Sequence, residues 1–179
     1  MLKILGVAAV VVAAAIAGVL VFAATKPDTF RLERSATIKA SPDVIYSQIE
    51  NFRNWRTWSP YEDLDPDLER SYGGAAQGVG AIYEWSGSED VGAGRMEIVD
   101  AVTGRSIRIK LDFVRPFEAH NTAEFDLVPG EDATLVTWAM AGPQPYLAKV
   151  MSVFIDFDTM VGKDFETGLD NLRKATERD

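Results

Sequence analysis

The feature that most limits what this chain can fold into is a change of hydrophobic period near Gly142. Apolar residues recur every second position before it and every third or fourth after it. Upstream, Ala81–Ser86, Arg95–Val102, Ser106–Phe113, Ala119–Leu127 and Ala133–Ala141 read as strands, and Glu69–Tyr72, closed by Gly73-Gly74, adds another. Gly92 and Gly94, Thr103-Gly104, Pro116 and Pro129-Gly130 separate them. Connections this short return the chain antiparallel, because a parallel return needs a crossover of a dozen residues or more. Downstream, residues 144–178 read as helical. Met160 or Val161, Phe165, Leu169 and Leu172 share one face, while Lys163, Asp164, Glu166, Asp170 and Arg173 take the others. Gly162 and Gly168 each cost this amphipathic helix up to ~1 kcal/mol of propensity. Close packing or a bend is therefore expected at both.

Ahead of the meander, Phe30, Leu32, Ala36 and Ile38 alternate with Arg31, Glu33, Ser35, Thr37 and Lys39, the pattern of a half-buried strand. Ser41-Pro42 then supplies an N-cap and a proline at the first helical position. A short helix through Val44, Ile45 and Ile49 follows, with a second piece around Phe52 and Trp55, and Pro60 ends it. The predicted order is strand, short helices, antiparallel strands, long helix: an α+β domain over residues 30–179.

The N-terminus is of another kind. Ile4–Ala24 carries no charge and stands between Lys3 and Lys26. As a helix it would span roughly 32 Å, against a hydrocarbon core of about 30 Å. We expect a tail over 1–3, a membrane anchor over 4–24 and a linker over 25–29. A cleaved signal peptide ending at Val21-Phe22-Ala23 is the alternative. Counted literally, Lys26, Arg31, Arg34 and Lys39 after the segment favour a cytoplasmic domain. Assigned instead to a folded strand, they drop out of the count, and the extracytoplasmic side is the expectation.

The formal charge of −9 repels nucleic-acid phosphates and anionic headgroups, so no nucleic-acid partner is expected. Absence of Cys removes disulfides, thiolate nucleophiles and thiolate metal sites together. No G-x-G-x-x-G or P-loop occurs. The single His120 lies, by parity, on the outer face with Thr122, Glu124 and Asp126. Arg95, Glu97, Arg108 and Lys110 fall on outward positions suited to cross-strand ion pairs. Glu62, Asp63, Asp65 and Asp67 match no calcium loop and read as a solvated acidic loop. No catalytic residue, cofactor or metal is called for.

Several short stretches, taken in order, resemble a known family. They are Asn51-Phe52 with Trp55 and Trp58-Ser59-Pro60; Gly78-Val79-Gly80-Ala81 with Tyr83 and Trp85; Gly92 with Gly94-Arg95-Met96-Glu97-Ile98; and Asp164-Phe165-Glu166 with Gly168-Leu169 and Leu172. Together they resemble the polyketide cyclase/dehydrase-like branch of the START-related SRPBCC superfamily, over about Thr29 to Glu177. The resemblance implies a helix-grip fold, a curved antiparallel sheet wrapped around a long C-terminal helix, enclosing a hydrophobic cavity. It carries over no catalytic residue.

Strand parity names the inward side chains. Tyr83, Trp85, Met96, Ile109, Phe125, Trp138 and Met140 are candidates for a ligand pocket, facing Phe165 of the helix. Trp55, Trp58 and Tyr61 are candidates for its mouth. The expected partner is a hydrophobic small molecule, lipid-like or aromatic, held by a membrane-tethered module. Two alternatives stand beside it: a cyclase- or dehydratase-like enzyme acting on an apolar substrate, and an envelope scaffold with a filled core.

Overall fold

The computed structural model describes residues 2–89 and 91–177, with side chains from Leu5 onward. Met1, Asp90, Arg178 and Asp179 lie outside the described residues, so the expected tail and the last positions of the domain are seen only in part. Helix α1 (Leu2–Ala24) leads into strand β1 (Thr29–Ile38) and helix α2 (Pro42–Ile49). Two 3-10 turns follow, Phe52–Thr57 and Pro60–Asp63. Then come β2 (Glu69–Gly74), β3 (Ala81–Ser86), β4 (Ala93–Val102), β5 (Ser106–Arg115), β6 (Ala119–Pro129) and β7 (Thr134–Pro143), before α3 (Tyr146–Met151) and α4 (Phe157–Thr176).

The strands form one sheet in the order β1-β7-β6-β5-β4-β3-β2, every pair antiparallel. Only β1 leaves sequence order, crossing to pair with β7, so the meander is closed at that edge by the strand that precedes it. Helix α4 lies over β1 and β7, the α+β helix-grip arrangement. Its two internal glycines follow from that contact. A Cβ at Gly168 would stand 2.6 Å from Trp138 Cζ3 and 3.0 Å from Pro60 Cδ, and one at Gly162 would overlap the Arg34 guanidinium.

Three local expectations are corrected. Ser41 precedes α2 without a side-chain cap bond, so Pro42 alone presets the first turn. Pro60 does more than close the preceding turn, because it opens the next one. The C-terminal stretch is two helices, since Asp156 accepts from the Thr159 N–H at 3.1 Å and restarts the chain as α4. Arg34 shares the inner parity of β1 with Leu32 and Ala36. At this edge strand it reaches sideways to Asp158 and Glu166 of α4, both at 3.0 Å.

Among the described residues, Leu5–Ala24 has a mean hydropathy of 2.8 and is almost wholly uncovered by the domain. By length and composition it suits a membrane span or a signal sequence alike.

Candidate functional site

The inward side chains are graded along the strands. Call the anchor end the one holding the start of β1, the end of β7 and the β3–β4 and β5–β6 turns. At the opposite end Ile38, Ile45, Ile49, Ile98, Ile107 and Leu172 are completely or almost completely buried. Mid-sheet, the 3-10 turn drops Trp55 and Trp58 between sheet and helix. Trp138 stacks on Phe165 of α4 at 4.1 Å between ring centroids and 6° between planes, and on Phe125 at 5.0 Å. Trp55 and Trp58 meet Phe125 edge-on, each at 6.0 Å. Ile109 is buried beside them. These rings touch one another, so the middle of the interface is packed aromatic matter.

Toward the anchor end the cover thins. Trp85, Phe113, Asn121, Met140 and Phe30 lie on consecutive inward positions of β3, β5, β6, β7 and β1, and all are half-buried. Trp85 meets Phe113 edge-on at 5.8 Å, and Met96 and Leu111 lie buried between strands. Tyr61 and Val161 pack against the core from the helical layer. Gly94 makes room for Trp85, since a Cβ there would overlap its ring. These half-covered side chains form an apolar shelf toward the anchor end.

The polar groups of this interface are few. Trp55 donates its indole N–H to Ile49 O at 2.9 Å, Trp58 to Gln48 O at 3.3 Å and Trp85 to Val91 O at 3.3 Å. Among the described residues the indole nitrogen of Trp138, which is 3% exposed, has no partner. Buried donors are normally paired, and leaving one unpaired costs about 1–3 kcal/mol. On the shelf, the Asn121 amide makes only a long contact, 3.9 Å, with Met140 Sδ. Sequence reading passed over Asn121, although its parity with Ala123 and Phe125 places it inward.

Glu62 and Asp65 are corrected from solvated to buried. Glu62 accepts from the Tyr83 hydroxyl at 2.7 Å and from Arg70 Nε at 2.5 Å. Asp65 accepts from the backbone N–H groups of Ser88 and Asp67, which hold its carboxyl below the ordinary range. Burial first, and Glu62 next, push the Tyr83 hydroxyl well above a free tyrosine. Burial and the Asp164 carboxylate do the same to Tyr61. The Glu62–Arg70–Tyr83 group thus pins the first loop to the sheet beneath the shelf. The alternation hides this, because nothing in a run of acids marks which one meets an inward arginine.

Outside, Arg95 pairs with Glu97, Arg108 and Arg31 with Glu124, and Lys110 with Asp112, at 2.8–3.0 Å. His120 is exposed and bonds Asp112 at 2.7 Å. Two surface grooves lie away from the shelf. One, of about 240 Å³, runs between Phe52, Arg53, Tyr72 and the Gly73-Gly74 turn; the other, of about 440 Å³, between Gln48, Thr57 and Asn171. No group of three or more His, Asp or Glu side chains among the described residues is placed to hold a metal.

The architecture recurs widely in solved structures. The chain superposes on the Aha1 dimer structure from Colwellia psychrerythraea with a TM-score of 0.59 at 17% identity, covering 83% of this chain and 96% of that one. On the major latex-like protein 151 of Panax ginseng the TM-score is 0.61 at 15% identity, covering 85% and 100%. Likeness at such identities shows the fold alone. No curated protein matches the chain by sequence. A family model does match residues 29–177, nearly everything after α1. The chain belongs to the family described as polyketide cyclase / dehydrase and lipid transport.

Proposed function

We propose that this protein is a membrane-tethered binding module that holds one hydrophobic molecule, lipid-like or aromatic, on the shelf between Trp85, Phe113, Met140 and Phe30. The observation that carries the reading is the half-covered state of these large apolar side chains, which gather toward one end of the inner face. Water over such a surface is released when an apolar molecule lies there, worth about 25 cal/mol per Å². Asn121 would fix the orientation of a ligand carrying an acceptor, as a few polar groups do in apolar sites. The family's description, which includes lipid transport, agrees with this class of ligand.

The tether in this reading is Ile4–Ala24, with residues 25–29 as linker and the domain from 30 onward, on the extracytoplasmic side. Arg31 and Arg34 support that sidedness. Both are ion-paired within the fold, to Glu124 and to Asp158 and Glu166, so neither is free to hold a flank at an anionic cytoplasmic leaflet. The close stacking of Trp55, Trp58, Phe125, Trp138 and Phe165 favours a second reading, a scaffold with a filled core.

Photolabelling separates the two. The full chain in phosphatidylcholine bilayers is irradiated with a diazirine-bearing fatty acid, and the adducts are mapped by mass spectrometry. Adducts on the peptides carrying Phe113, Asn121 and Met140 are expected. Adducts confined to α1 would overturn the proposal in favour of the scaffold.

A further inference from the structure

The end of the domain at which the shelf lies is also the end at which α1 is held. The Tyr146 hydroxyl of α3 donates to the Leu20 carbonyl of α1 at 2.9 Å. The Lys26 ammonium, just past α1, donates to the Ser152 carbonyl and hydroxyl at 2.8 and 2.9 Å. One step on, Asp28 accepts from the Gln144 N–H at 2.7 Å and from the Lys149 ammonium at 2.5 Å. Five hydrogen bonds within nine residues of chain thus fix α3 beside the final turn of the apolar helix, where Lys26 is the first charge.

Around this point the surface is unusually apolar. Leu147 on α3 is 67% exposed, and Phe154, in the link to α4, is 71% exposed. Ile155 and Met160 are exposed next to them. Across the sheet, the β5–β6 turn at the same end exposes Val114 and Phe117, the latter by 70%. Large exposed aromatics and leucines grouped at one end of a domain mark a contact surface. The opposite end exposes the smaller Val79, Val102 and Val128, beside turns of Thr103-Gly104 and Gly130-Glu131-Asp132.

We infer that this end of the domain seats in the interfacial layer of the bilayer that α1 enters, with Leu147, Phe154 and Phe117 immersed among headgroups and upper acyl chains. The inference rests on reading α1 as a membrane span. Its continuity with α1 selects lipid as the occupant: a rim bonded to the last turn of a spanning helix already stands at the depth of the interface. Lys26 at that level keeps its ammonium on Ser152 and its stem along apolar surface. The domain's acidity suits a zwitterionic leaflet better than an anionic one. The consequence is a route. The shelf faces the membrane, so an apolar molecule passes between bilayer and shelf without crossing bulk water.

The chain has no cysteine, so single labels need no background removal. Phe154→Cys, Phe117→Cys, Ile16→Cys and Asp132→Cys are each made in the full chain, labelled with an environment-sensitive nitrobenzoxadiazole, and placed in phosphatidylcholine vesicles containing doxyl-labelled lipid. All four positions are exposed on the domain or on α1, so the substitutions leave packing intact. The labels at 154 and 117 are expected to be quenched severalfold more than the label at 132, with shallow doxyl positions most effective, and the label at 16 by deep ones. Quenching at 16 with 154 and 117 no different from 132 would overturn the seating and leave the tether standing. No quenching at 16 either would remove both.

Discussion

Replacing Glu62 tests whether the first loop is pinned as described. Its carboxylate is 7% exposed and meets two donors, the Tyr83 hydroxyl and Arg70 Nε. Glu62→Leu leaves a guanidinium and a hydroxyl without their acceptor. Breaking a buried pair from one side costs about 3–5 kcal/mol. Arg70 keeps its bonds to the Leu68 and Glu62 backbone carbonyls and has a side chain 17% exposed, so the lower end applies. We expect a loss of about 3 kcal/mol for Glu62→Leu, and about 1 kcal/mol for Glu62→Gln, which retains an acceptor oxygen. For a domain of this size that is a fall in Tm of roughly 6–12 °C for the first variant. Urea unfolding of the full chain in detergent micelles, followed by tryptophan fluorescence, reads both. Tyr83→Phe supplies the cross-check, costing about 1 kcal/mol in the native chain and nothing in the E62L background. If Glu62→Leu unfolds within about 0.5 kcal/mol of the native chain, as surface substitutions do, the carboxylate is solvated and the pinning is wrong.

Four further outcomes follow from the geometry. Gly168→Ala drives a Cβ against the Trp138 ring and Pro60, both fixed, and should cost about 1–2 kcal/mol despite the better helix former. Gly162→Ala pushes the Arg34 guanidinium off Asp158 and Glu166, both exposed ion-pair partners, and should cost about 0–1 kcal/mol, read by the same unfolding curves. The single imidazole resonance should titrate above the ordinary histidine range because the ring donates a hydrogen bond to the Asp112 carboxylate, and Asp112→Asn should bring it down. With the folded pKa above the unfolded one, this contribution to stability is full in acid and vanishes as pH rises through the folded value; an unshifted resonance would contradict it. Asn121→Leu should leave stability nearly unchanged while altering which apolar molecules are photolabelled onto the shelf, favouring those without an acceptor.

Much of the fold was legible because the sheet's period is two and its turns are marked. Ala81–Ser86 stands where alternation put it, and the other strands differ by a few residues at their ends. Gly162 and Gly168 announced a close approach by being poor helix residues in a good helix. His120, Arg95 and Arg108 face outward, as parity requires. What parity does not encode is depth along a strand. It places Phe125 and Phe113 on one inner face alike, yet one is sealed beneath Trp55 and Trp58 and the other is half-covered. Nor does it encode the long-range partners. The burial of Glu62 depends on Arg70 and Tyr83 of neighbouring strands, and the break before α4 on a side-chain cap at Asp156 that a run of apolar residues obscures.

The central claim is that the shelf holds an apolar molecule, and native mass spectrometry tests it most directly. The full chain is extracted in mild detergent from the membranes in which it was made, then released from micelles in the gas phase. The account predicts a chain carrying one co-purifying apolar molecule, lost when Phe113→Asp puts a charge on the shelf while the unfolding curve stays cooperative. A bare chain in every charge state, or an adduct that survives Phe113→Asp unchanged, would contradict it.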